Sequence, residues 1–374
     1  MRKDNITVFS NLIWRFAERC GAQGVSLVVS IILARMLLPE VYGTIALVTV
    51  FINILNVFVD SGMGSALIQK KEADDLDFST VFYFNVFVCF VLYLGLFVVS
   101  PVVARFYNDM SLVPVIRVLG LTLVISGVKN VQQAYVSRTM QFKRFFFATL
   151  GGTIGAAIIG IQIAWLGGGV WALVIQQVLN AAVDTVILWM TVKWRPQKMF
   201  SFERLKGMFA FGWKLLVSAL LDTVYNNLRQ LVIGKKYSSS DLAYYNQAQK
   251  FPNLIITNIN TSIDSVLLPA LSSEQDSKIR IKIMTRKAIK MSIYIIAPLM
   301  MGLASVATSL VKLVFTERWL PSVFYIRIFC ITYMFYPLHT SNLNAIKAMG
   351  RSDIFMKLEI AKKMVGVALL LVSM

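Results

Sequence analysis

Long uncharged runs alternate along the chain with short clusters rich in lysine and arginine. Val41–Val59, Phe78–Ala104, Met291–Val311 and Ile328–Ile346 contain no charged residue, and Phe145–Val183 is long enough for two such runs with Gly167-Gly168-Gly169 as the turn between them. A helix of ~20 apolar residues crosses the hydrocarbon core of a bilayer. These segments also lack the polar face that a helix of a soluble bundle turns to water. Runs, turns and charge clusters together predict about eleven membrane-spanning helices, near 10–34, 42–68, 79–104, 112–136, 145–166, 170–192, 207–233, 244–271, 288–311, 323–346 and 355–374. The fold class is therefore all-α and polytopic.

Composition agrees with the pattern. Hydrophobic residues make up 57% of 374 and charged residues 15%, against about 25% charged in a soluble domain. Mean hydropathy is +0.67. Cys20, Cys89 and Cys330 are scattered, and no C-x-x-C pairs them into a metal or disulfide framework. The charged start, Met1-Arg2-Lys3, precedes a long first span without an A-x-A-like cleavage site, which reads as a retained first helix.

The cations fix an orientation. Of 37 lysines and arginines, 23 fall in the amino terminus and the even-numbered loops, six in the opposite loops and eight within spans. The positive-inside rule places the amino terminus and the even loops in the cytoplasm. Topology thus explains most of the net charge of +18, with no nucleic-acid partner, and attraction to anionic membrane lipid follows from it.

A shift of about 200 residues aligns two stretches. The segment Arg35–Gly43 falls near Lys236–Tyr244, and Ser65–Ile68 falls against Ser265–Leu268. The expectation is two lobes, residues 1–200 with six helices and residues 201–374 with about five, related by a parallel pseudo-two-fold repeat about the membrane normal. The last segment, Lys363–Met374, holds about eleven apolar residues, too few to span. The second lobe reads as truncated, and a twelfth helix would complete the symmetric design.

Several motifs recur in order. They include Leu33-Ala34-Arg35-Met36-Leu37-Leu38-Pro39-Glu40-x-Tyr42-Gly43, the run Asp60–Gln69, Ser137-Arg138-x-Met140-x-Phe142-Lys143, Gly168-Gly169-Val170-Trp171-Ala172-Leu173 and Trp194-Arg195-Pro196. Phe211-Gly212, Tyr244-Tyr245-Asn246-x-Ala248, Leu267-Leu268-Pro269-Ala270, Trp319 and Ala348-x-Gly350-Arg351 continue the series. Over nearly its whole length the chain resembles the bacterial polysaccharide transporters of the multidrug/oligosaccharidyl-lipid/polysaccharide exporter superfamily, the colanic- and teichuronic-acid exporter branch in particular. The resemblance implies a flippase for undecaprenyl-diphosphate-linked oligosaccharide in the bacterial inner membrane, with two helical lobes about a central cavity. It would serve exopolysaccharide, capsule or lipopolysaccharide biosynthesis, beside a polysaccharide polymerase and export machinery. It implies no cofactor and leaves H+ or Na+ coupling open. One departure stands in the second lobe, where Ala243-Tyr244 replaces a frequent Leu-Gly before Tyr.

Charges inside the spans supply the candidate site. A charge at mid-bilayer costs roughly 2.5–3.5 kcal/mol on the insertion scale. Arg15 and Arg19 share a face of the first span beside Glu18; Lys214, Asp222 and Arg229 lie on one stripe of the seventh; Lys250 and Asp264 lie on the eighth. Asp60, Arg117, Lys129, Asp184 and Arg327 complete the set. One reading is a hydrated cationic cavity in which Arg15, Arg19, Lys214, Arg229, Lys250 and Lys129 receive a diphosphate, with Asn226, Asn227, Gln230, Gln249, Asn258 and Asn260 for sugar hydroxyls. The other is snorkelling or structural pairing, and Arg229, Lys129 and Arg327 divide evenly between the two. Glu18, Asp60, Asp222 and Asp264 read as cation partners first and as coupling or gating groups second.

Other features are blander. Gly151, Gly152, Gly155, Ala156 and Gly160 suit close helix packing. Pro252, Pro269 and Pro298 bend or break their spans, bending being the simpler reading. Asp74, Asp75 and Asp77 read as solvated loop acids. His339 is the sole histidine, and no H-E-x-x-H, G-x-S-x-G or P-loop pattern appears. The chain reads as a transporter, not an enzyme. A drug exporter of the same superfamily is the first rival, although a cationic cavity repels cationic drugs. A polysaccharide polymerase is the second, and it would call for a large extramembrane loop or an acid cluster outside the membrane.

Overall fold

The computed structural model describes residues 21–60, 63–70, 73–139, 141–274 and 277–372. Among these every regular element is helical: α1 (Gly21–Met36), α2 (Pro39–Asp60), α3 (Met63–Gln69), α4 (Asp75–Tyr107), α5 (Leu112–Arg138), α6 (Phe142–Trp165) and α7 (Val170–Thr191). There follow α8 (Phe202–Lys236), α9 (Ser239–Ser272), α10 (Lys278–Val314), a 3-10 turn (Glu317–Trp319), α11 (Ser322–Met334), α12 (Tyr336–Ala348) and α13 (Ser352–Val372).

The helices α2, α4, α5, α6, α7, α9 and α10 are each long and apolar enough to cross a membrane, and α8 makes an eighth when its two segments, Phe202–Ala210 and Leu215–Lys236, are taken as one span bent by 56°. The chain is thus a multi-pass membrane protein, with seven or eight spans among the described residues beside the eleven expected of the whole chain. The first expected span is described only as the shorter helix α1. The tenth breaks at Phe335 into α11 and α12, thirteen residues each. The eleventh, α13, is helical over 21 residues but carries Lys357, Glu359, Lys362 and Lys363 within its apolar stretch. A chain break in the tenth and charges in the eleventh, rather than lack of helix, keep these two from the count, while residues 10–20 of the first lie outside the described residues.

Local chemistry sets the helix ends. Asp74 caps α4 by accepting the Asp77 backbone N–H at 2.9 Å, while the Asp77 carboxylate accepts the Asp74 N–H at 3.2 Å. This reciprocal box satisfies two of the donors that a helix start leaves open. At the other end Asn108 takes the left-handed conformation, φ 56°, and turns the chain back. Gly167 and Gly169 adopt φ +79° and +54° between α6 and α7, so the Gly167-Gly168-Gly169 turn is where the sequence put it. Pro252, Pro269 and Pro298 all sit inside continuous helices, so none of them breaks its span.

The chain divides into two compact units, Met1–Leu242 and Ala243–Met374. This division falls later than residue 200 because α8 packs on α2, α3 and α4. In the first unit Leu33, Leu47, Val48, Leu112, Ile116, Leu119, Leu123, Val174 and Leu242 build the main core. Gly152 and Gly160 on α6 lie against Asn180, Asp184 and Gln176 of α7, which is the close packing expected of that glycine-rich face. In the second unit Leu267, Leu271, Ile281, Ala345 and Ala348 join α9, α10 and α12, and the fully buried Trp319 packs against Phe315 and Tyr244.

Within the first unit Gly43 on α2 faces the start of α9. A Cβ at Gly43 would lie 1.7 Å from the Ser239 carbonyl oxygen, a backbone atom that cannot swing aside. Gly43→Ala is expected to destabilise the protein by about 1–3 kcal/mol, the usual cost of overpacking. Gly95→Ala, at a helical position with nothing within 4 Å of the new methyl, is expected to leave stability unchanged or raise it by up to about 1 kcal/mol. Thermal melting of both purified variants checks this.

Candidate functional site

The predicted site residues meet different fates. Arg15, Glu18 and Arg19 lie outside the described residues. Asp60 is the last residue of α2 and Lys214 lies in the bend of α8, their side chains outside the description. Some of the others are half-buried beside described partners, and others stand on exposed helix faces.

Lys129 belongs to the first group. Its ammonium on α5 donates to Asp184 of α7 at 3.1 Å, with side-chain exposures of 19% and 13%. Beside them the Trp189 indole donates to the Val128 carbonyl at 3.4 Å. Two mostly covered charges at this distance compensate one another in a medium where each alone is costly. Arg117 and Arg327 are also served locally. Arg117 lies 3.9 Å above the Phe97 ring and donates to the Ser100 hydroxyl at 3.1 Å. Arg327 donates to the Ala304 carbonyl at 3.4 Å and to Thr308 at 3.3 Å.

The second group forms stripes. On α8, Asp222, Asn226 and Arg229 are all exposed, and spacings of four and three put them within about 60° of one another. On α9, in the other unit, Lys250, Asn253, Thr257 and Thr261 are all exposed at spacings of three, four and four. Thr257 donates to Asn253 at 3.2 Å, and Thr261 to the Thr257 carbonyl at 2.8 Å. The cation Lys250 was foreseen, but Asn253, Thr257 and Thr261 were not; their helical periodicity on a span was the available signal. Polar residues on a membrane helix face the bundle interior or water rather than lipid tails. Asp264, farther along α9, accepts amide N–H groups from Asn260 and Asn344, and it makes no ion pair within 4 Å among the described residues.

The reading of Asp77 as a solvated acid is corrected, whereas Asp74 and Asp75 are exposed, although both accept hydrogen bonds. Asp77 has no exposed side-chain surface and is held by Lys70 at 2.5 Å and Arg204 at 3.5 Å. Asp75 accepts the Trp194 indole at 3.1 Å and the Gln197 amide at 3.3 Å. The connection 192–201 is pinned further: Gln197 N–H donates to Ser79, Ser201 N–H to Thr80, and Gln132 to the Trp194 carbonyl. The capping bond from Asp77 N–H holds the Asp74 carboxyl below the usual carboxylate range. The stabilisation from that lowered value is present at neutral pH and lost as pH falls through it. The Asp-x-x-Asp spacing was the sequence signal for this cluster.

Comparison with known proteins places the chain. The polysaccharide biosynthesis protein family matches residues 32–324. The chain belongs to this family. Among curated relatives it is 27% identical to the teichuronic acid biosynthesis protein TuaB of Bacillus subtilis, over 82% of this chain and 63% of that protein. It is 24% identical to the succinoglycan biosynthesis transport protein ExoT of Rhizobium meliloti, over 84% and 63%. It is also 24% identical to the lipopolysaccharide biosynthesis protein WzxC of Escherichia coli, over 91% and 69%. The chain therefore spans about 63% of the length of TuaB and ExoT. Among solved structures, the lipid II flippase MurJ in an inward closed conformation aligns with TM-score 0.70 at 12% identity, over 91% of this chain and 76% of that one. An inward-facing multidrug resistance transporter of the MATE family and MOP superfamily aligns at 0.69 and 17%, over 91% and 84%. The fold is that of these transporters.

If the Lys129–Asp184 contact is structural, Lys129→Met or Asp184→Leu alone costs about 2–3 kcal/mol, allowing for partial exposure. The double variant is expected to return to within about 1 kcal/mol of the parent, because it leaves no lone charge. A double-mutant melting cycle measures the recovery.

Proposed function

We propose that this protein moves an undecaprenyl-diphosphate-linked oligosaccharide across the bacterial inner membrane by alternating access, with its amino terminus in the cytoplasm. The observation that carries the reading is the pair of exposed polar stripes on membrane helices, one with Arg229 and one with Lys250. Cations offer charge-assisted hydrogen bonds to a diphosphate. Asn226, Asn253, Thr257 and Thr261 offer neutral donors and acceptors to sugar hydroxyls. A wet, polar lining accepts such a headgroup without the cost of burying it dry, while the polyprenyl tail stays in the bilayer. Arg15, Arg19 and Lys214 are assigned to the same task of meeting the headgroup. Membership of the family supports the substrate class, as does the likeness to the polysaccharide biosynthesis proteins TuaB, ExoT and WzxC. No covalent chemistry is assigned to the chain.

The two-lobe repeat is retained as part of the proposal. Helix boundaries recur at the offset read from the sequence: α1 ends at Met36 and α2 starts at Pro39, while α8 ends at Lys236 and α9 starts at Ser239. A polymerase and export machinery are the proposed partners, and polysaccharide destined for the cell surface is the proposed product.

In cells that depend on this protein for surface polysaccharide, Arg19→Ala, Lys214→Ala and Arg229→Ala are each expected to lower export about tenfold, the equivalent of 1.4 kcal/mol of headgroup binding. Protein level in the membrane is expected to stay unchanged. Quantified surface glycan beside an immunoblot checks both, and normal export in all three variants would return these cations to a structural role.

A further inference from the structure

A groove of about 380 Å³ runs between α9 and α10, wholly within the second unit. Val266 and Ala270 of α9 and Ala288, Met291 and Ile295 of α10 form its walls. Spacings of three and four put each set on one helix face. Leu267, buried in the core with Leu271 and Ile281, lines its inner side, while Val266 and Met291 are exposed, so the groove opens outward. The small side chains of Ala270 and Ala288 leave open the space that larger ones would fill.

These walls suit hydrocarbon and not a glycan. The hydroxyls among them are engaged within their own helices: Ser262 donates to the Asn258 carbonyl at 2.8 Å and Ser292 to the Ala288 carbonyl at 2.7 Å. None of the lining residues is charged. A sugar or diphosphate entering here would lose its water without gaining partners. From Ser262 to Ala270 the groove follows α9 for about 12 Å at 1.5 Å per residue, room for a stretch of straight chain. Lipid tails are as apolar as these side chains, so the groove alone cannot select among lipids, and selection falls to the headgroup. One end of the groove meets a basic cluster. The first turns of α10 carry Lys278, Arg280, Lys282, Arg286, Lys287 and Lys290, all exposed. Lys287 stands four residues before Met291, on nearly the same face and one turn nearer the helix start, with Arg286 and Lys290 beside it. Among the described residues the one ion pair made by this cluster is that of Arg280 with Glu274, at 2.9 Å. A hydrocarbon groove that ends at uncompensated cations matches an acyl chain with an anionic headgroup.

We propose that the groove between α9 and α10 binds one anionic phospholipid of the cytoplasmic leaflet, with an acyl chain between the helices and the headgroup phosphate at Lys287, flanked by Arg286 and Lys290. The choice of leaflet rests on the orientation proposed above, which puts this end of α10 in the cytoplasm. The lipid completes the apolar packing between the two helices and fixes their spacing.

Native mass spectrometry of the purified full chain in a non-ionic detergent, titrated with phosphatidylglycerol or with phosphatidylcholine of identical acyl chains, tests the site. The expected result is one retained phosphatidylglycerol per chain, bound about tenfold more tightly than phosphatidylcholine. Ala270→Phe, which fills the groove, is expected to weaken phosphatidylglycerol about tenfold. The triple variant Arg286→Gln, Lys287→Gln, Lys290→Gln is expected to abolish the preference between the two lipids while leaving phosphatidylcholine binding unchanged. Melting curves without added lipid report folding, and Met291→Trp at the exposed rim takes the place of Ala270→Phe where that variant melts early. Equal binding of both lipids by the parent overturns the site, and so does unchanged phosphatidylglycerol binding in a folded groove-filling variant. Displacement of phosphatidylglycerol by equimolar undecaprenyl phosphate, lost in the same variants, would give the groove to the polyprenyl tail and overturns it as well. The measurement needs no transport, so its failure and the failure of the flippase reading are separately visible.

Discussion

A charge within the hydrocarbon core requires compensation, and this constraint organises the molecule. Lys129 finds Asp184, Arg117 finds the Phe97 face and Ser100, and Arg327 finds Ala304 and Thr308. These groups hold helices together. Asp222 and Arg229 on α8 and Lys250 on α9 stand on exposed faces among other polar residues. Sorting intramembrane charges by their surroundings thus separates the scaffold from the surface proposed to meet substrate.

The first unit shows how that surface is held. The buried Asp77 carboxylate gathers Lys70 from the end of α3 and Arg204 from the start of α8. The connection before α8 is stitched to α4 through Asp75, Ser79 and Thr80. At the opposite end of α8, the Tyr107 hydroxyl donates to the Leu231 carbonyl at 3.3 Å, and Lys235 donates to the Phe106 carbonyl. Both ends of this helix are anchored on α4, and the bend lies between the anchors. The Asp222–Asn226–Arg229 stripe therefore belongs to a helix whose ends are fixed while its course changes.

Much of this was legible in the sequence. Uncharged runs located the helices because hydrocarbon enforces length and apolarity together, and the glycine triplet located a turn because positive φ favours glycine. The breaks at Phe335 and at residues 211–214 were missed, although Pro337 in the first turn of α12 and Gly212 in the bend were the available signals. Lys129 and Asp184 were both noted, but pairing residues 55 positions apart requires the packing of α5 on α7. The Asp77 cluster was missed for a different reason: three acids in four residues resemble a solvated loop, and only the third dimension brings Lys70, Arg204 and Trp194 over them. The pair of amides on Asp264 likewise needs α12 folded onto α9, although the Asn260–Asp264 spacing already put those two residues on one face.

The central claim is that these exposed polar faces carry a lipid-linked sugar headgroup through the membrane. The most direct measurement reconstitutes the whole protein in liposomes with undecaprenyl-diphosphate oligosaccharide in one leaflet and follows its appearance in the other. Protein-dependent movement of the glycolipid, absent from liposomes without protein, is the predicted result. No movement by a protein shown to be folded in the same liposomes would contradict the account.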